Sequence, residues 1–233
     1  MLFDLGVLVF QFSLNSDDAQ GFTMPEGSFG VVGLCTKNED PVVRCFSLFH
    51  EVCHLCLGKP GVSGGETIFM RRPSGQREMI EVFCNRFAAA FLLPLRDEQV
   101  SLNLKSILDK RTGIDKSRTI EMARKFKVSK YVVLFRAREA GYLSWDSCVR
   151  INSEWQEEDK EIGDRRNSDD QKNKHRGPSA LVLRVSERGK RFTSLVFEAL
   201  DTGRISLHEA ANYLSLQPKD FDDVRERAGR GRL

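Results

Sequence analysis

The chain has 233 residues, enough for one sizeable domain and a smaller one, and 36 Lys and Arg against 33 Asp and Glu leave a net charge of only +3. So mild an excess does not by itself point to nucleic acid, and no run approaches the roughly 18 apolar residues that a membrane helix needs. Six cysteines, most of them in apolar runs, suggest reduced core residues of a cytoplasmic protein and argue against a disulfide framework.

The opening stretch carries Asp4 and lacks a basic leader, so it does not look like a secretory signal. Gly6–Leu14, rich in Val and Phe, is expected to be a strand. Gly21–Met24 is expected to be a short second strand and Phe29–Thr36 a third, with turns at Asn15–Asp18 and Pro25–Ser28. Together they should make a small sheet, with Phe29–Cys35 as the edge that could bind an extended substrate by strand addition.

Pro41–Gly58 starts with proline and stops at glycine, as a helix does. Phe46, Phe49, Val52, Cys53, Cys56 and Leu57 fall at helical spacing on it. Within it His50-Glu51-Val52-Cys53-His54 reads H-E-x-x-H. Residues four apart share a helix face, so both imidazoles can meet one zinc ion, while Glu51 can serve as general base toward a water on that ion. Such a site needs a third protein ligand. The next patterned helix, Gln76–Leu93, has an apolar face of Ile80, Phe83, Cys84, Phe87, Ala88 and Phe91 and is ended by Pro94. Glu81 is the favoured third ligand, Glu78 its competitor, and Asn85 a partner able to orient the ligands. The Gly- and Pro-rich stretch between the two helices, residues 59–75, is expected to be a loop bordering the cleft, with Arg71 and Arg72 able to touch substrate. Cys53 and Cys56 are spaced C-x-x-C, but no second pair follows at zinc-ribbon spacing.

Downstream, Asp97–Leu108 should be helical with breaks. Ser117–Lys127 is an amphipathic, Ser-capped helix, and Lys130–Gly141 a second helix after a tight turn. The pair is shaped like a helix-turn-helix, although Lys127 stands where glycine is usual; Lys130, Arg136 and Arg138 could meet phosphates. Residues 152–179 are polar and charged and are expected to be a partly disordered linker that includes His175. Beyond it, a strand from Leu181 to Val185 is expected, followed by helices at Phe192–Leu200, Ser206–Leu214 and Pro218–Val224. Ser206 and Glu209 form a capping box, which puts His208 in an exposed first turn.

"SLFHEVCHLCLG" followed by "IEVFCNRFAAAFLLP" resembles the ImmA/IrrE family of bacterial metallopeptidases. "LGVLVFQF", Gly21-Phe22 and "ARKFKVSKYVVLFRAREAG" also look like that family, so the resemblance runs from the N-terminus to about Cys148. It implies an α+β, zincin-like peptidase core with a small sheet and an active-site helix, then helix-turn-helix-like helices and a small, mostly helical C-terminal subdomain. By position, His50, His54 and Glu81 match the family's zinc ligands and Glu51 its base. Cys53 stands where the family usually has a small residue, and is taken as a small buried hydrophobe. The division expected is 1–115 peptidase core, 116–151 helix-turn-helix-like region, 152–179 linker and 180–233 C-terminal subdomain. Family members usually carry helices ahead of this first strand, so the chain is expected to be N-terminally short, with the first strand or the back of the core exposed. The resemblance further implies a protein substrate, a DNA-binding helix-turn-helix repressor, in stress response or mobile-element regulation. The alternative is a metal-binding regulator or interaction protein that inactivates its partner without cleaving it.

Overall fold

A computed structural model describes residues 2–13, 20–27, 29–36, 40–63, 75–109, 111–169 and 180–229. The chain is an α+β molecule in which a four-stranded sheet carries the first helix on one face, and further helices extend from it. Strands β1 (Val7–Phe12), β2 (Gly21–Glu26), β3 (Phe29–Cys35) and β4 (Gly61–Ser63) lie in the order β1-β3-β2-β4. β1 runs parallel to β3, and β2 is antiparallel to both β3 and β4.

The expected edge, Phe29–Cys35, is therefore an interior strand, paired on one side by β1 and on the other by β2. Its backbone groups are already spent in two ladders, so it cannot accept a further strand. The edges are β1 and β4. β4 arises inside the stretch expected to be loop; Arg71 and Arg72 of that stretch lie outside the described residues, as does His175. Pro25, expected in a turn, closes the last part of β2.

Helix α1 (Pro41–Cys56) is set by Pro41 in its first turn and by Asp40, whose side chain accepts from the Val42 amide at 2.9 Å. Of the six residues expected at helical spacing, Cys53 is buried and Phe46, Phe49 and Val52 are partly buried. Cys56 and Leu57 are exposed, while Ser47, His50, Glu51, Cys53 and His54 are buried. Helix α2 (Gln76–Leu92) packs against α1 and buries Cys84, Asn85, Ala88 and Ala89, whereas Phe83 and Phe91 are about half-exposed. Phe91 stacks on Phe49 of α1 at 4.1 Å between ring centroids, which holds the two helices side by side.

The largest core lies beyond α2. Leu93, Leu104 of α3 (Glu98–Ser106), Met122 of α4 (Lys116–Phe126), Val132–Phe135 of α5 (Lys130–Glu139) and Ile151 and Trp155 of α6 (Trp145–Asp169) pack together. α4 is capped by Asp115, which accepts from the Arg118 amide at 2.9 Å, not by Ser117 as expected. α5 follows after Lys127 in the left-handed conformation (φ 55°), the place where glycine was expected, and Ser129 caps it.

Two expectations fail further along. Residues 152–169 continue helix α6 instead of forming a linker. The inward stripe Cys148–Ile151–Trp155 carries the helix into the polar stretch. From there Arg150–Glu154, Lys130–Asp159 and Lys116–Glu158 ion pairs support a segment of strong helix formers. The expected strand at 181–185 is helix α7 (Ala180–Arg188). Leu181 and Val185, one turn apart, face a second core built with α8 (Lys190–Asp201), α9 (Leu207–Leu214) and α10 (Phe221–Gly229). This helical unit lies against β1: Phe192 meets Phe10 edge-on at 5.0 Å, and Gln11 donates to the Ser186 carbonyl at 3.4 Å. β1 is consequently half-buried along its length, not left bare. Among the described residues no helix is long and apolar enough to cross a membrane.

Candidate metal centre

Three potential ligand atoms converge where α1 meets α2. His50 Nε2 lies 3.1 Å from His54 Nε2 and 3.1 Å from a Glu81 carboxylate oxygen, and His54 Nε2 lies 3.4 Å from the other Glu81 oxygen. The helical spacing of four explains the first pair, and the packing of α2 on α1 brings the third. The cluster contains Glu81; Glu78, the competing candidate, is not part of it.

Asn85, one turn beyond Glu81, places Oδ1 2.8 Å from His50 Nδ1. An amide oxygen only accepts, so Nδ1 carries the proton and Nε2 turns its lone pair to the cluster. Two imidazole nitrogens and a carboxylate thus converge on one buried point, a donor set that could hold a metal ion. Burial alone raises the Glu81 carboxyl, but the hydrogen bonds and charge of His50 and His54 outweigh it and bring it down to about 2. Burial lowers His54, yet bonding to Glu81 and the charges of Glu81 and Glu51 prevail and raise it. Among the described residues nothing bonds the buried Nδ1 of His54, which faces the backbone of β4: a Cβ added at Gly61 would come within 2.9 Å of it.

Glu51 is fully buried beside this cluster but is not one of its donors. Thr23 of β2, 2% exposed, makes a short hydrogen bond to Glu51 Oε2 and also lies 3.1 Å from the Glu51 carbonyl oxygen. A Cβ at Gly21 would lie 2.9 Å from Glu51 Oε1. Neither residue was singled out in the sequence for its contact. The signal available was alternation: in Gly-Phe-Thr-Met, Gly21 and Thr23 share the face that the register turns toward α1.

A cavity of about 640 Å³ opens next to His54 and Glu81, with Phe22, Met24 and Ile80 as apolar wall and Lys59 and Arg77 among its cations. Cys53 and Cys84 are buried side by side behind the cluster, and burial is the first cause pushing both thiols up. Neither sulfur is one of the converging donor atoms.

The model of the IrrE N-terminal-like domain, a peptidase family (M78), matches residues 4–138. The chain belongs to that family. The match spans the sheet, α1, α2 and the helices through α5, so the His50–His54–Glu81 cluster falls inside it. Family membership makes this a metallopeptidase-type protein with a protein or peptide as substrate class, and the cluster is where a metal cofactor fits. No curated relative matches the chain at a significant level.

The three cations that the helix-turn-helix-like pair offered for phosphate contact are turned elsewhere. Lys130 pairs with Asp159 at 2.6 Å and lies over the Trp155 ring. Arg136 is buried, donates to the Leu93 carbonyl at 2.8 Å and pairs with Glu139. Arg138 covers the Trp145 ring at 4.4 Å. Helix α5 buries every residue from Val132 to Ala137 and presents no free face to a groove.

Proposed function

We propose that this IrrE-like chain is a cytoplasmic, zinc-dependent endopeptidase that cleaves or inactivates a partner protein, a helix-turn-helix transcriptional repressor, in stress response or mobile-element regulation. In this reading His50, His54 and Glu81 hold the zinc, Glu51 is the general base, and Asn85 fixes the His50 tautomer. The observation that carries it is the position of Glu51, fully buried beside the donor cluster yet outside it. A site that merely held a metal would have no use for that second carboxylate, whose burial is costly.

The donor set supports zinc. Two imidazoles and one carboxylate with a fourth position open is the pattern of catalytic zinc. One donor atom from each residue lies within 4.8 Å of the other two, and the imidazole nitrogens stand 3.1 Å apart, near the edge, about 3.3 Å, of a tetrahedron with bonds of roughly 2.0–2.1 Å. The chemistry zinc supplies when bound is acidification of a water and polarisation of the scissile carbonyl. Glu51 takes the proton of the attacking water and delivers it to the leaving amine. The cavity lined by Phe22, Met24 and Ile80 accepts an apolar substrate side chain next to that chemistry.

The test is incubation of the zinc-loaded chain with a candidate repressor bound to its operator DNA, followed by mass spectrometry of the repressor and a DNA-retention assay. New peptide ends with the parent and none with Glu51→Gln are expected. Displacement from DNA without cleavage, equal in both proteins, would replace the enzyme with an interaction protein that acts by binding.

A further inference from the structure

The general base is held by a strand that contributes no ligand to the cluster. Thr23 sits in the interior of the sheet, paired with Val32 of β3 on one side and Gly61 of β4 on the other. Its position is therefore set by two ladders, not by a loop. Its hydroxyl has one proton and two acceptors within reach, the Glu51 carboxylate and the Glu51 carbonyl at 3.1 Å. The carboxylate oxygen is the closer of the two and takes it. Two residues back, Gly21 leaves the space that the other carboxylate oxygen fills, because any Cβ there would stand 2.9 Å from Oε1. Strand β2 therefore cradles the carboxylate: a small residue for room and a hydroxyl for a fixed bond, both on the face turned to α1.

We propose that Thr23 is the positioning residue of the general base: it donates to Glu51 Oε2 and fixes the orientation in which Glu51 works on the substrate-side water. This rests on the peptidase reading for its chemistry, but the contact itself is independent of it. A hydroxyl that only satisfied a buried carboxylate would act on stability alone. One that positions a base acts on turnover with substrate binding unchanged.

The experiment uses the full zinc-loaded chain with Thr23→Val, which keeps the shape and removes the donor, and Thr23→Ser, which keeps the donor. Thr23→Cys, with a weak donor, serves if Thr23→Val does not fold. Two readouts are taken beside zinc content and melting temperature. The first is kcat and KM on the best-cleaved peptide of a quenched-fluorescence decapeptide library. The second is affinity for acetohydroxamate, a small zinc-directed inhibitor whose binding engages the base and needs no known substrate. Thr23→Val should keep its zinc and its KM within about twofold and lose about 10–100-fold in kcat, with acetohydroxamate weakened about tenfold. Thr23→Ser should restore both to within about threefold, and Thr23→Cys should fall between. Unchanged kcat and acetohydroxamate affinity in Thr23→Val overturn the proposal. So do losses that Thr23→Ser shares and that track melting temperature. A parent that holds zinc and acetohydroxamate but cuts no library peptide overturns the peptidase reading instead, and the acetohydroxamate series then decides the Thr23 contact alone.

Discussion

Two regions of this chain advertise function in the sequence, the His50–His54 helix with its partner α2, and the helix pair α4–α5. Both bury charge, and they do so in opposite ways. At the candidate metal centre, His50, His54 and Glu81 converge on one point with Glu51 buried beside them. In α5 three cations are held by separate neighbours: Arg136 by Glu139 and the Leu93 carbonyl, Lys130 by Asp159, Arg138 by the Trp145 ring. Convergence leaves room for a ligand, and pairing-off leaves none. The helix pair contributes Met122, Ala123 and Val132–Phe135 to the core. The C-terminal unit repeats the helix-turn-helix shape: after α9, Ser215 takes the left-handed conformation (φ 52°) and Leu216 is buried, as Lys127 and Val128 are after α4. Its last helix opens with Asp222 and Asp223, which would repel a phosphate backbone.

The contrast can be broken at either end. The largest effect is expected for Glu51→Gln, which should lower cleavage by about 10²–10⁴-fold in a peptide assay with zinc content unchanged. A variant that still cuts at the parent rate would remove the base from the account. On the other side, Arg136→Ala should cost about 3–5 kcal/mol in denaturant unfolding, because Glu139 and the Leu93 carbonyl lose a buried cation, with zinc stoichiometry retained in the folded fraction. Loss of zinc without loss of stability would mean that the helix pair serves the site directly. Asn85→Ala should weaken zinc binding about 10–100-fold in competition with a chelator, since the His50 ring loses the acceptor that fixes its tautomer.

The smallest effect concerns pH. Burial raises the Asp159 carboxyl, but hydrogen bonds from Lys130 and Tyr131 outweigh it and hold it below its ordinary value. A folded value that is depressed adds stability in full above the unfolded value, near about 4, and loses it as pH falls through the folded one. The stability gap between parent and Asp159→Asn should thus be constant above about pH 5 and close below about pH 4. A gap that widens in acid would contradict the pairing of Lys130 with Asp159.

Much of the site was legible because its spacing is local. His50 and His54 are one helical turn apart, and Glu81 and Asn85 are one turn apart, so each pair can be read from one helix. That the two helices meet is a tertiary fact, and so is the choice between Glu81 and Glu78. The α+β class was legible from alternating strands and periodic helices, but strand order was not. Pairing is a long-range choice, and nothing local tells Phe29–Cys35 that β1 will flank it. Polar composition misled at 152–169, where glutamates, lysines and arginines are helix formers with partners on α4 and α5. Hydrophobic β-branched residues misled at 181–185, where Leu181 and Val185 were helical neighbours against a core that the sequence does not display. The part played by Thr23 and Gly21 was not legible because it lies in long-range contacts with Glu51, 28 residues on from Thr23, that alternation on β2 hints at but cannot place.

The central claim is that His50, His54 and Glu81 form one zinc site. The measurement that tests it most directly is bound zinc per chain by elemental analysis, on the parent, Glu81→Ala and Glu78→Ala side by side. Near-stoichiometric zinc in the parent and in Glu78→Ala, with zinc lost from Glu81→Ala, is the expected result. A parent without zinc even after reconstitution, or a metal that leaves with Glu78→Ala and stays with Glu81→Ala, would contradict it.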